Sequence, residues 1–310
     1  MKYIIGVDIG GTQTRAALAD QTGHIVTEMH ALTEVTRGPE AVIDHVVQYI
    51  ERLRELVPEG DELVGVGVGC PGPLDPEEGI VFTAPNLPGW TNVPVRDMLA
   101  ERTNLFIKLS NDANAAAIGE WFFGGGRNHA NLVYITISTG IGSGVIVDGR
   151  PLLGHKGAGG ELGHMVLDLK EQKTWEELAS GTALKNVAIE TMKTHMHTML
   201  HELGTPETIT AADVAEAAAR GDAVAQRLMH REGYLLGLGL VNVLHMFSPE
   251  IILVGGSVVT SNPSLLERAQ CVVDERVIAD IYRSVPIEVA QLGNRVGMLG
   301  AVALLLMDMT

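Results

Sequence analysis

The sequence predicts an α/β protein of two domains. Three observations carry that reading. Short β-branched runs alternate with stretches of helical period, and glycine or proline falls between them. The 310 residues, 46% of them hydrophobic, can fill two cores, at about 150 residues per domain. A strand, glycine turn, strand unit occurs once in each half, around Gly10-Gly11 and again around Gly140-Gly142.

Tyr3 to Asp8 and Arg15 to Asp20 read as strands joined by the Gly10-Gly11 turn, and Gly23-His24 leads into a third. Pro39 to Val57 places Val42, Ile43, Val46, Val47, Ile50 and Leu53 at helical spacing. Val64 to Val68 is a buried strand, and the first domain is expected to end near Ser110. Asn111 to Phe123 is an alanine-rich helix stopped by Gly124-Gly125-Gly126. Strands follow at Leu132 to Ile137 and Gly144 to Val147. Leu228 to Phe247 is helical despite Gly233, Gly237 and Gly239. Each glycine costs about 1 kcal/mol relative to alanine in a helix interior, so close packing is expected there. Ile251 to Val254 is a buried strand, and Val296 to Met307 a buried terminal helix, too short and too glycine-interrupted to span a bilayer.

Composition removes several function classes. A net charge of −16 opposes a broad basic surface, so a nucleic-acid partner is not expected. Cys70 and Cys271 are the only cysteines, which support neither a disulfide framework nor a thiolate metal cluster and fit a reducing compartment. The amino terminus opens on strand residues with no signal-peptide pattern. A cytoplasmic protein without membrane contact is expected.

The chemistry-bearing candidates sit in turns. In Asp8-Ile9-Gly10-Gly11-Thr12, paired glycines let backbone amides approach phosphate oxygens, Thr12 adds a hydroxyl, and Asp8 suits a magnesium ion held through water; the plain alternative is a tight hairpin. Thr139, Gly140 and Gly142 repeat the flexible-backbone theme. Gly255-Gly256 after a buried strand would leave room for a flat base. Asp112, beside Asn111 at a helix start, is either a cap worth about 1 kcal/mol or a general base for a hydroxyl. Donors at the helix end are expected to keep it ionised. Glu161 and His164, three apart, suit vicinal sugar hydroxyls or form a surface ion pair. Glu176 and Glu177 read as a first helical turn. Gly67-Val68-Gly69-Cys70-Pro71-Gly72 matches a dinucleotide fingerprint, but Pro71, Pro73 and Pro76 forbid the helix that fingerprint needs. His195, His197 and His201 read as a solvated helix face, not a zinc site.

Taken in order, Asp8 to Thr12, Gly69-Cys70-Pro71-Gly72-Pro73, Pro85-Asn86-Leu87 with Trp90, Asn111-Asp112, Thr139 to Gly144, Gly160 to His164 and Gly255-Gly256 resemble the ROK family over nearly the whole chain. The resemblance implies two actin-like (ribonuclease H-like) α/β domains around a cleft, spanning 1–110 and 111–293, with the terminal helix, about 294–310, joining the first. It implies a hexose kinase using ATP and Mg2+. Asp112 falls on the catalytic base, while Asn86, Asn111, Glu161, His164, Glu176 and Gly72 fall on sugar-binding positions. Asp8, Gly10, Gly11, Thr12, Thr139, Gly140, Gly142, Gly255 and Gly256 fall on the ATP segments. Glucose is the default substrate, with mannose, fructose, allose or N-acetylmannosamine as alternatives and a non-catalytic sugar-binding regulator as the other class. Family repressors carry a helix-turn-helix ahead of the phosphate strand, and a chain starting on that strand favours the kinase. A homodimer or homotetramer fits the family. Two departures stand out: Met165 to Trp175 lacks the cysteines of the family's zinc loop, so no structural zinc is expected, and Gln13 replaces the usual lysine.

Overall fold

The chain begins as an antiparallel hairpin, β1 (Lys2–Ile9) and β2 (Gln13–Asp20), in which Ile9 lies opposite Thr14 and Asp8 opposite Arg15. The structure, a computed structural model, describes residues 1–309. β3 (Ile25–Leu32) pairs antiparallel with β2, and after α1 (Gly38–Arg54) the strand β4 (Glu62–Cys70) pairs parallel with β1. A small antiparallel sheet, β5 (Leu74–Asp75), β6 (Ile80–Thr83) and β7 (Thr91–Val93), precedes α2 (Val95–Thr103). β8 (Ile107–Asn111) completes a sheet of order β3-β2-β1-β4-β8 and runs directly into α3 (Asp112–Phe123).

Side-chain alternation divides the work of that sheet's two faces. Ile5, Val7, Ile9, Ala16, Leu18, Val66, Val68 and Leu109 bury against Val42, Ile43, Val46 and Ile50 of α1 and Leu99 of α2. The opposite face carries Gly6, Asp8, Gly67 and Gly69, and there the terminal helix packs. A Cβ on Gly67 would collide with the carbonyl oxygen of Ala301, and one on Gly6 with that of Met298. The alternating Gly-Val-Gly-Val-Gly of 65–69 is therefore a strand with one face made of side chains and the other of bare backbone, which accounts for the fingerprint-like spacing. No helix starts within it: β4 ends at Cys70 and a loop follows.

β9 (Leu132–Ile137) opens the second unit, and within β10 (Ile141–Val147) the chain passes back into the first, where β11 (Arg150–Pro151) pairs with β10's end. From Glu161 it is again in the second unit, as the hairpin β12 (Val166–Asp168) and β13 (Lys173–Thr174), then α4 (Trp175–Ala179), α5 (Gly181–Met192), α6 (Leu200–Leu203), α7 (Ala211–Ala219) and α8 (Ala223–Phe247). β14 (Ile251–Gly255), α9 (Ser257–Thr260), α10 (Ser264–Arg276), α11 (Asp280–Arg283) and β15 (Ile287–Val289) follow, with β9, β14 and β15 parallel. α12 (Val296–Leu306) ends the chain back in the first unit. The expected packing of the α8 glycines is present: a Cβ on Gly237 would lie 2.6 Å from Cβ of Val272 on α10, and Gly239 abuts the Trp175 ring.

Two readings change. The first unit comprises Met1–His129, Gly144–Gly160 and the chain from Gln291 onward, so it does not stop at Ser110. The reason is that Asn111 closes β8 and α3 packs against α12, with Gly119 over Gly300. The histidine trio is not on one helix face, because α5 ends at Met192 and His195 and His197 lie in turns before α6. The hydrogen-bonded Thr191 to Thr198 segment breaks the periodicity that spacing suggested.

Candidate active site

In the first unit, strand register sets the geometry. Asp8 of β1 stands opposite Gly69 of β4, and Gly69 opposite Ser110 of β8, so Asp8 and Asp112 emerge at the carboxyl ends of strands two apart with no side chain between them. Both carboxylates are half-buried. Burial, and after it the neighbouring Asp112 carboxylate, push Asp8 up to about 7 against the opposing Arg15 guanidinium. Burial also raises Asp112, against the pull of the Ala113 amide. The expectation that helix-end donors dominate at Asp112 is thus reversed: desolvation outweighs them. The Cys70 thiol, at the end of the strand between, is pushed well up by burial and by the same two acids, so three groups converge there.

The cap of α3 is Asn111, not Asp112. Asn111 Oδ1 accepts from the amides of Ala113 at 2.9 Å and Asn114 at 3.2 Å, which satisfies the helix start. Asp112, the first helical residue, accepts from its neighbour Ala113 at 2.8 Å. The cap position thus belongs to Asn111, while the carboxylate of Asp112 shares the Ala113 amide with it. Gly72 lies beside Asn111: a Cβ on it would be 3.4 Å from Asn111 Nδ2.

The Gly10-Gly11-Thr12 turn is closed by the Gly10 amide donating to the Gln13 carbonyl at 3.0 Å. Gly11 packs on Asn86, whose Cβ would be 2.7 Å from a Gly11 Cβ. Asn86, Gly11, Asp8, Gly72, Asn111 and Asp112 therefore cluster at one end of the first sheet. At the departure from the family pattern, Gln13 Oε1 accepts from Arg15 Nε at 3.2 Å and Nη2 at 2.9 Å. Arg15 is the residue sequence reasoning missed. Hairpin arithmetic would have found it, since Ile9 pairing with Thr14 forces Asp8 opposite Arg15.

The second unit holds the other candidates. Thr139 and Gly140 lie in the turn after β9 and Gly142 near the start of β10, and Glu176 is attached to this segment: its Oε2 accepts from the Ile141 amide at 2.7 Å and lies against Gly140. Glu177, by contrast, closes the capping box with Thr174. Only Glu177 behaves as the plain helix-start residue. Glu161 and His164 flank a single tight turn in which His164 N donates to the Glu161 carbonyl at 3.2 Å. That turn leans on the same glycine segment through Leu162 N to Ser143 Oγ at 3.2 Å and Gly163 against the Ile141 carbonyl. Gly255 ends β14 and Gly256 follows it, and Ser257 Oγ lies 3.1 Å from Ser138 Oγ. The space their missing side chains leave is filled by the Tyr134 ring and the Ile137 backbone, so it does not itself make room for a base.

The zinc-loop position is occupied by the β12–β13 hairpin. Asp168 Oδ1 accepts from the amides of Lys170 at 2.9 Å and Glu171 at 3.1 Å, and buried Trp175 donates to the Leu235 carbonyl at 3.1 Å. Among the described residues no group of three or more His, Cys, Asp or Glu side chains is placed to hold a metal ion, and no helix is long and apolar enough to cross a membrane.

Residues 4–307 match the ROK family, and the chain belongs to it. A glucokinase of Thermotoga maritima is 34% identical, with 97% of this chain and 96% of that protein covered. The xylose repressor of Caldicellulosiruptor bescii is 28% identical, with 99% of this chain and 78% of the repressor covered. Among solved structures, a ROK family glucokinase from Streptomyces griseus, in complex with glucose and AMPPNP, superposes with a TM-score of 0.84 at 30% identity, covering 97% of this chain and 98% of that one. The fold is accordingly the actin-like two-domain α/β architecture of sugar kinases.

Proposed function

We propose that this chain, a ROK-type sugar kinase, transfers the γ-phosphoryl group of ATP to the 6-hydroxyl of glucose in the cytoplasm. The observation that carries the reading is Asp112, a half-buried carboxylate that Asn111 relieves of the capping duty and whose pKa burial raises. In the reaction O6 of the sugar attacks the γ-phosphorus, the bond from that phosphorus to the β,γ-bridging oxygen breaks, ADP leaves, and the O6 proton passes to Asp112. A raised pKa makes Asp112 the better acceptor.

By the family resemblance, Asn86, Asn111, Gly72, Glu161, His164 and Glu176 take the sugar hydroxyls. The amides of Gly10, Gly11 and Thr12, and of Thr139, Gly140 and Gly142, take the phosphates, with Gly255-Gly256 beside the nucleoside. Asp8 fits a magnesium ion held through water: it is a half-buried carboxylate crowded by a second one, and a divalent cation relieves both. When bound, that ion neutralises charge on the phosphates.

A second reading, a sugar-responsive regulator without turnover, is favoured by the likeness to a xylose repressor. An ADP-release assay across glucose, mannose, fructose, allose and N-acetylmannosamine separates the two. The kinase reading expects sugar-dependent ADP with kcat/KM highest for glucose. A higher value for another hexose overturns the choice of glucose, and sugar binding without ADP release from any of them overturns the kinase.

A further inference from the structure

The sheet face that carries Asp8 continues outward into a cavity of about 370 Å3 in the first unit, a volume within the range of small-molecule sites. Asp8, Arg15 and His30 stand in register across β1, β2 and β3, so their side chains share this face. Asn294 and Arg295, from the turn before α12, line it as well.

The lining is unusual for a chain of net charge −16. Two guanidinium groups, Arg15 and Arg295, and His30 face a single carboxylate, Glu28. Arg15 is fixed before any ligand arrives: Gln13 Oε1 accepts from its Nε and Nη2, and the Asn294 carbonyl accepts from Nη1 at 2.9 Å. A lysine in place of Gln13 would offer donors only, and would repel Arg15 where glutamine holds it. Arg295 meets Glu28 through Nε at 3.2 Å, with the two side chains 59% and 41% exposed. A pair that exposed is weak and yields readily to a better anion. Two guanidinium groups lining one cavity suit a tetrahedral dianion, and the volume leaves space for an organic group attached to it.

We propose that this cavity binds a small phosphate monoester, held between Arg15 and Arg295 with His30 as a further donor, at a place separate from the Gly10-Gly11-Thr12 amides. The inference stands whichever sugar the kinase uses.

The test is titration calorimetry on the full chain with glucose, Mg2+ and saturating AMPPNP present, at fixed ionic strength, with glycerol 3-phosphate and inorganic phosphate as probes. The expected result is one site for glycerol 3-phosphate, tighter than for inorganic phosphate. Arg295→Gln should weaken it about tenfold, the worth of one charge-assisted hydrogen bond, with melting temperature and the KM for ATP unchanged. Arg220→Gln, which removes an exposed charge in the other unit, should leave the affinity alone. Binding that vanishes when AMPPNP is present, equal affinity in Arg295→Gln, equal loss in Arg220→Gln, or a preference for inorganic phosphate would each overturn the proposal.

Discussion

At the scale of single residues, two carboxylates are held away from their ordinary behaviour, and each makes a prediction. Asp112 must be ionised to accept the sugar proton, and burial raises its pKa. The acid limb of kcat against pH is therefore expected to have its midpoint above 3.8, the value of an unperturbed aspartate. A kcat flat down to that value would remove Asp112 as the titrating base. Glu232, on α8, is fully buried, its oxygens lack hydrogen-bond partners among the described residues, and burial pushes it up to about 8 from 4.5. Between those two values the folded chain keeps a proton that the unfolded chain releases, so this residue's contribution to stability falls as pH rises from 4.5 to 8. Glu232→Met should stabilise the protein by about 1–3 kcal/mol at pH 8, and by less at pH 5. Denaturant melts at the two pH values would check it, and a gain independent of pH would refute it.

Among the elements, α12 and the β12–β13 hairpin do what sequence reading foresaw only in part. The terminal helix was legible from its apolar run. Its partner was not, because the glycines of β4 resembled a nucleotide fingerprint until the sheet placed them all on one face. Gly67→Ala drives a methyl into the Ala301 carbonyl and should cost about 1–3 kcal/mol. A melting temperature unchanged by Gly67→Ala would mean that α12 does not sit this close. The α8 glycines were read correctly as packing sites, whereas the histidine trio was misread, since spacing alone cannot see where α5 stops. In the hairpin, Asp168 accepts from the amides of Lys170 and Glu171, and no cysteine is present from Met165 to Trp175. Exhaustive chelation followed by Mg2+ readdition should leave the thermal midpoint and the activity unchanged. Near-stoichiometric zinc with loss of folding on its removal would contradict that.

For the whole molecule, motif order over the chain was the most readable signal, because glycine turns at strand ends and a carboxylate after β8 keep their sequence spacing. The composition of the two units was harder to read. The first unit is assembled from three stretches, and nothing local marks Gly144 or Gln291 as a crossing point. Asp8 and Asp112 both lie in the first unit, and the register of β1, β4 and β8 reveals that they are neighbours. That pairing is the basis of the functional reading. It is tested most directly by sugar-dependent ADP release measured side by side in wild type and Asp112→Asn, with melting temperatures and sugar affinities recorded for both. Asparagine keeps the shape and Asn111 still caps α3, so the account predicts equal stability, sugar affinity within about threefold, and a kcat lowered by roughly 10²- to 10⁴-fold. A variant that folds as well and keeps more than about a tenth of the wild-type kcat would contradict the assignment of Asp112 as the base.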